Sequence, residues 1–311
     1  MLAVPVSELP ADPGWTFEPK WDGYRAIGTI GAGKLHLASR RGTNMAPWFP
    51  ELDSLPEALG GHQVLVDGEV VALDPAGRPD FAALQHRARQ RATSPTRRRA
   101  TPPASSVPVV YMIFDLLGLD GQLLLDRPWS ERRARLEALE LAGPASQTSP
   151  TFVDQGPLVW AATGQQGLEG VVAKRVASLY HPGKRHPDWQ KRSHEQQGLF
   201  LVGGYVPSPA GVGRLLVGTR QPQGRLRHLA TVTAGLVPAT RRRLAELLAD
   251  LHTETSPFTG PISPGRWGGR PAQTPPRVWV RPELAVLIAY RGLEDGQLRH
   301  ARYAGLADQR R

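Results

Sequence analysis

The sequence predicts an α+β chain of two domains. Three observations lead there: its length, a change of texture near residue 195, and many short β-rich runs with few helical ones. At 311 residues there is chain enough for about two cores. Residues 1–195 should form a mixed domain of strands and helices. Residues 196–311 carry about five strands and one intervening helix, which suits a small Greek-key barrel of the OB type, a common nucleic-acid-binding fold.

Within the first domain, residues 17–43 alternate like strands around a glycine turn: YRAIGTI, GAGK, LHLASR. VLVDGEVVAL (64–73) and VVYMIFDLLGL (109–119) are further β runs. Asp67-Gly68 reads locally as a hairpin turn, because Asp-Gly readily takes positive φ, and LDGQ (119–122) reads the same way. Ser130 is placed to N-cap a helix over ERRARLEALEL, which Gly143-Pro144 would stop. Residues 87–108, rich in Arg, Pro and Ser, read as an exposed loop. After Glu195-Gln196-Gln197 come LFLVGGYVP, RLLVGTR and LRHLATVTA as short strands. The helix PATRRRLAELLADL follows, then a Pro/Gly loop (256–276) and the β-rich segments VWVRPELAVLIAY and LRHARYAGL.

Composition excludes several classes. With no cysteine there is no disulfide framework, thiolate nucleophile or cysteine-based zinc site. No run approaches the ~18 apolar residues of a membrane span, and MLAVPVSELPADPGW lacks a signal pattern, so a cytoplasmic protein is expected. Charge is uneven. Residues 1–196 hold 22 Lys+Arg against 21 Asp+Glu, whereas residues 197–311 hold 16 Arg, no Lys and 7 Asp+Glu. A basic lobe of this kind favours a polyanionic partner, nucleic acid by default.

Only five of the 38 basic residues are lysines: Lys20, Lys34, Lys174, Lys184 and Lys191. Arginine stays protonated, whereas a lysine pKa of ~10.4 can fall to ~7–8 when it is desolvated or near other cations. Lysine alone can therefore offer a free amine to phosphorus or a carbonyl. Lys20, in EPKWDGYR, is the candidate, with Arg25, Arg40 and Lys191 as neighbours to lower its pKa; locally, it could equally close an Asp22-Gly23 turn. Gly28 to Lys34 matches most of a phosphate-binding GxxxxGK loop. Leu35 stands where that loop needs a hydroxyl, however, and the segment lies between two strands, so Lys34 reads as a hairpin-tip residue. Glu169-Gly-Val-Val-Ala-Lys174 reads as a strand with an acid at one end and an amine at the other, or as a surface ion pair.

Taken in order, these segments resemble the covalent nucleotidyltransferases, and most of all the compact bacterial ATP-dependent DNA ligases, including the ligase modules of end-joining enzymes. The resemblance rests on Lys20-Trp-Asp22-Gly23-Tyr-Arg25, the SRRG containing Arg40, Asp67-Gly68-Glu69 and Tyr111-x-x-Phe114-Asp115. It extends through Glu169-Gly170-Val-Val-Ala-Lys174 and Arg185-His-Pro-Asp-Trp189-Gln-Lys191 to the C-terminal PELAVLIAYRGLEDGQLRHARYAGL. It implies a nucleotidyltransferase (adenylation) domain of antiparallel sheets with flanking helices, followed by an OB-fold β-barrel, the two closing around a nick.

By that resemblance Lys20 takes AMP from ATP as a phosphoramide, with Asp22 and Arg25 in the same catalytic motif. Glu18 lies by the adenine through its backbone and Phe114 stacks on the ring. Arg25, Arg40 and Glu69 hold ribose and phosphate, Lys174, Arg185 and Lys191 hold the polyphosphate, and Glu69 and Glu169 bind Mg²⁺ or Mn²⁺. The implied partners are nicked duplex DNA and a Ku-like end-binding protein or repair polymerase, with no membrane. The expected state is a monomer associated with the nucleoid. Two departures stand out. Ser193 occupies the place of a second lysine, with Arg192 beside it as a substitute charge, and GLADQRR lacks the usual ligase ending, leaving Arg299 and Arg302 to orient pyrophosphate. An RNA ligase or GTP-using capping enzyme shares KxDG, and a non-catalytic nucleic-acid-binding module is the reading from a different class.

Overall fold

Strands outnumber helices in this protein, and most strand pairs are antiparallel. The computed structural model describes residues 1–93, 107–141, 143–260, 262, 276–294 and 296–307. The chain divides into two compact units, Met1–His194 and Glu195–Arg311.

The first unit holds two sheets. One has the order β1-β11-β10-β2-β9, from Leu2–Pro5, Arg185–Ser193, Gly170–Arg175, Trp15–Pro19 and Phe152–Val153. The other has the order β4-β3-β5-β6-β7, from Lys34–Ser39, Tyr24–Gly31, Val64–Ala72, Val109–Leu119 and Gln122–Leu123, with β8 (Ser146–Thr148) beside β6. Met1, Tyr180 and Trp189 meet Leu117, Ile27 and Phe114 where the sheets pack together. Helices α1 (Leu55–Ala58), α2 (Phe81–Thr93) and α3 (Trp129–Glu137) add Leu55, Leu84 and Leu136 to the core of the second sheet. Helix α4 (Gly156–Gln165) lays Val159 and Trp160 on Trp15, Phe17, Val171 and Ala173 of the first.

Two expected hairpins form, with the paired positive φ values that a two-residue turn needs: Ala32 and Gly33 between β3 and β4, Asp120 and Gly121 between β6 and β7. The Asp67-Gly68 turn does not form. Both residues lie inside β5, paired with β3 on one side and β6 on the other. Glycine is required there for another reason: a Cβ on Gly68 would stand 2.6 Å from the Tyr111 ring. Helix α3 starts at Trp129 behind Pro128, so Ser130 is helical and caps nothing. Residues 87–93 belong to α2 rather than to a loop; 94–106 lie outside the described residues.

In the second unit the long strand β12 (Gln196–Ser208) bends at two register shifts. It pairs along one side with β13 (Gly211–Arg220), and β13 pairs with β14 (Leu226–Val232). On its other side β12 pairs with β18 (Ala285–Tyr290), which pairs with β21 (Arg302–Leu306). A bridge from Ala234, just past β14, to Arg302 closes the ring, and Gly235 permits it at φ +81°, since a Cβ would stand 2.2 Å from the Tyr303 carbonyl. Helix α5 (Pro238–Ala249) covers the barrel core with Leu244 and Leu248. The expected five strands and one helix are present. Short strands β15 (His252–Thr253), β16 (Phe258–Thr259), β17 (Val278–Val280), β19 (Leu293–Glu294) and β20 (Gln297–Leu298) add to them. Most of the 256–276 loop lies outside the described residues. Among those residues no helix is long and apolar enough to cross a membrane.

Candidate active site

Strand alternation in the first unit decides which side chains meet. Val172 pairs with Glu18 of β2 and with Lys191 of β11, and Lys174 pairs with Trp189, so these side chains share one face of their sheet. Trp15, Phe17, Val171 and Ala173 take the other face under α4. Arg192, paired with Val171, goes with them: its guanidinium lies 3.9 Å from the Trp160 ring centroid. Arg192 therefore does not stand in for the lysine replaced by Ser193; it points away from the Lys191 face.

In the facing sheet, β3 and β5 pair Arg25 with Glu69. The β5–β6 register shifts between Asp67, paired with Asp115, and Gly68, paired with Ile113, which leaves Phe114 as the extra residue of a β-bulge. A bulge re-aims its side chain, and Phe114 meets Trp189 edge-on at 6.3 Å.

Lys20 follows β2. Its backbone N–H donates to the Gly170 carbonyl at 2.8 Å, and its ammonium is ion-paired with Glu169. Gly23 has no left-handed φ, so the segment runs on into β3 without the turn that Asp22-Gly23 suggested. The next residue, Trp21, donates its indole N–H to Ser149 at 2.9 Å. Arg25, expected beside Lys20 to lower its pKa, instead forms a two-point pair with Asp67 at 2.9 and 2.6 Å, and the Tyr180 hydroxyl donates to the same carboxylate at 2.7 Å. Burial pushes the Glu69 carboxyl up to about 8. Lys20 and Arg25 oppose that rise, while Glu169 and Asp67 add to it.

The Lys174 ammonium is buried, 2.8 Å from Glu18 Oε1 and 2.9 Å from its Oε2. Burial pushes the Glu18 carboxyl up and the Lys174 ammonium down, each partly restored by the other. Lys174 is thus held by a buried carboxylate, and Glu169 and Lys174, which could have made a surface pair together, each pair elsewhere, Glu169 with Lys20 and Lys174 with Glu18. Arg185 is exposed and donates to the Ala3 carbonyl. Arg40 is exposed just past β4. In the second unit Arg302 pairs with Glu195 at 2.6 Å.

Sequence reasoning missed Arg132, wholly buried in a two-point pair with Asp115 at 2.7 and 2.8 Å. It also missed Tyr180 as the second partner of Asp67. Arg132 stands beside Arg133 in an Arg-rich helical run, a pattern that looks like a solvated helix face.

Glu169 is ion-paired with Lys20, and its charge adds to the rise at the buried Glu69 carboxyl. Among the described residues no three acidic or histidine side chains gather to cage a metal. Mg²⁺ does not need such a cage, since it commonly takes only one or two carboxylates and completes its shell with water and substrate phosphate.

The chain matches the ATP dependent DNA ligase domain family over residues 1–192 and the ATP dependent DNA ligase C terminal region over residues 208–310. It is 36% identical over 299 residues to the multifunctional non-homologous end joining DNA repair protein LigD of Mycobacterium tuberculosis, covering 94% of this chain and 36% of that protein. It therefore spans about a third of the length of that relative. DNA ligase C2 of Mycolicibacterium smegmatis is 32% identical over 330 residues, covering 96% of this chain and 87% of that protein. The structure of mycobacterial DNA ligase D complexed with ATP and MES is similar at a TM-score of 0.54 and 32% identity, covering 100% of this chain and 96% of that one.

Proposed function

The chain belongs to the ATP-dependent DNA ligase family, and from that premise we propose that it seals nicks in duplex DNA through a lysyl-AMP intermediate. The observation that carries this reading is the setting of Lys20. Its amine is ion-paired with Glu169, and the charges of both act on the buried Glu69 carboxyl.

Lys20 Nζ, released from Glu169 and free of its extra proton, attacks the α-phosphorus of ATP. The phosphoanhydride bond breaks, pyrophosphate leaves, and AMP remains on the lysine. Phe114 stacks on the adenine, and Arg25, fixed in direction by Asp67 and Tyr180, reaches toward the sugar and phosphate. Lys191, Arg185 and Arg40 supply positive charge for the polyphosphate. Glu69 and Glu169 would hold Mg²⁺ or Mn²⁺, which when bound polarises the phosphate and offsets its developing charge. The AMP then passes to the 5′-phosphate at the nick and is displaced by the 3′-hydroxyl. The barrel with its arginine excess presents the DNA-binding charge. The end-joining context of the LigD relatives extends the proposal to double-strand-break repair, with recruitment by a Ku-like end-binding protein or a repair polymerase.

Incubation with α-labelled ATP and magnesium, followed by a denaturing gel, tests this directly. Label should stay on the chain, vanish with Lys20→Ala and not form from labelled GTP. An unlabelled wild-type chain would end the proposal.

A further inference from the structure

We propose that Lys174 is a positioning residue, a clasp that joins the two sheets of the first unit beneath the base pocket, and not a ligand of the polyphosphate. This rests on the adenylylation reading and concerns how that site is held.

An ammonium group has three N–H donors. Lys174 sits on β10 and Glu18 on β2, both in the first sheet, and its ammonium is 2.8 and 2.9 Å from the two Glu18 oxygens. It also donates to the Phe114 carbonyl at 3.0 Å, and Phe114 belongs to the second sheet. The bulge takes Phe114 out of the β5–β6 pairing, so its carbonyl is available to a partner from outside its own sheet. The same Nζ lies 4.5 Å from the ring centroids of both Phe114 and Trp189, where an ammonium is attracted to each aromatic face.

Lys174 is 1% exposed, with Glu18 on one side and the Phe114 carbonyl on another. To meet a phosphate it would have to leave Glu18 charged, buried and unpaired, which is strongly unfavourable. By staying, it ties the carbonyl of the stacking aromatic residue to the strand that precedes Lys20. Lys174 thereby adds a polar tie to the Phe114–Trp189 contact in fixing the Phe114 ring relative to β2 and β10.

The two roles separate by nucleotide. A polyphosphate ligand recognises the β- and γ-phosphates that ATP has and AMP lacks, whereas a clasp shapes the pocket for the adenosine that both share. Two full-length variants serve the test. Glu18→Gln combined with Lys174→Met removes the pair without stranding a buried charge, and Glu18→Gln alone weakens the clasp while keeping the lysine. The readouts are the KM for ATP in adenylylation and the inhibition constant of AMP. The clasp predicts that both rise together in the double variant, roughly tenfold, equivalent to about 1.4 kcal/mol, and by a smaller common factor in Glu18→Gln. A rise for ATP with AMP unchanged, or no rise in either, overturns it. Amide hydrogen exchange without nucleotide gives a second readout: residues 112–116 should exchange faster in the double variant, and unchanged exchange also overturns the clasp. A wild-type chain that takes no label from ATP would sink the ligase reading, leaving the exchange result to decide the clasp on its own.

Discussion

The two units use positive charge in opposite ways. In the first, buried or half-buried cations face carboxylates: Lys20 with Glu169, Arg25 with Asp67, Arg132 with Asp115, Lys174 with Glu18. In the second, acids are scarce and guanidinium groups turn to backbone carbonyls. Arg220 donates to Gly224 and Pro282, Arg225 to Ser256 and Phe258, and Arg241 to Leu236, Val212 and Gly213. A carboxylate partner neutralises a charge and fixes its direction, which is what a reaction centre needs. A carbonyl partner fixes the side chain but leaves its charge in force, and that is how a barrel can be stapled by arginines and still attract a polyanion.

The comparison predicts its largest effect at Arg132. Replacing it with Met leaves Asp115 buried and unpaired, at a cost of about 3–5 kcal/mol. Arg225→Ala breaks bonds from a partly exposed guanidinium to two carbonyls and should cost about 1 kcal/mol. Urea unfolding of both variants measures the gap. Equal losses would mean that the paired and carbonyl-bound cations are energetically alike and that the contrast between the units is only geometric.

A buried base in the second unit sharpens the contrast, because among the described residues no acid acts on it. His228 lies edge-on to Phe258 at 5.5 Å, and burial lowers its pKa from 6.5 to about 4. Hydrogen bonding at Ala230 opposes that shift and Arg277 adds to it. The folded state binds fewer protons than the unfolded chain between these values, so stability rises with pH across the window. The contribution, roughly 3 kcal/mol, is fully present above pH 6.5 and lost as pH falls through about 4. In His228→Leu, urea midpoints at pH 4.5 and 7 should differ less than in the wild type. An unchanged difference would assign the acid sensitivity to other groups.

What the sequence made legible was order and type. The motif series, the two hairpin tips, and the five strands and helix of the second unit all depend on neighbours in the chain, and local pattern reports those. What it hid depends on residues far apart. Asp67-Gly68 obeys the local rule for a turn, yet Gly68 is needed because the Tyr111 ring lies against it, and only β5–β6 pairing creates that contact. Glu169 and Lys174 lie on one short segment, but each finds its partner elsewhere, Lys20 for one and Glu18 for the other. The direction of Arg192 follows from strand alternation once β11 is known to be a strand, a step the motif comparison by itself does not take. Pro128 moves the start of α3 one residue ahead of Ser130, and the cap is lost with it.

The smallest effects are expected at exposed arginines of the second unit, where the comparison bears on the proposed DNA binding. Arg214 and Arg242 are exposed, and among the described residues no carboxylate or carbonyl holds either. Arg281 is also exposed but is held by Glu283 at 2.9 Å and by the Asp250 carbonyl at 3.0 Å. A cation that neutralises a DNA phosphate releases a counterion, so each lost contact flattens the plot of log affinity against log salt by about one unit. Arg214→Ala and Arg242→Ala should each reduce the slope for nicked duplex by about that amount and weaken binding most at low salt. Arg281→Ala should leave the slope close to that of the wild type, because its charge is already answered within the protein. If Arg281→Ala flattened the slope as much as the other two, being paired or unpaired in the free protein would have no bearing on which arginines meet DNA. The division of labour between the two units would then stop at stability and not extend to binding.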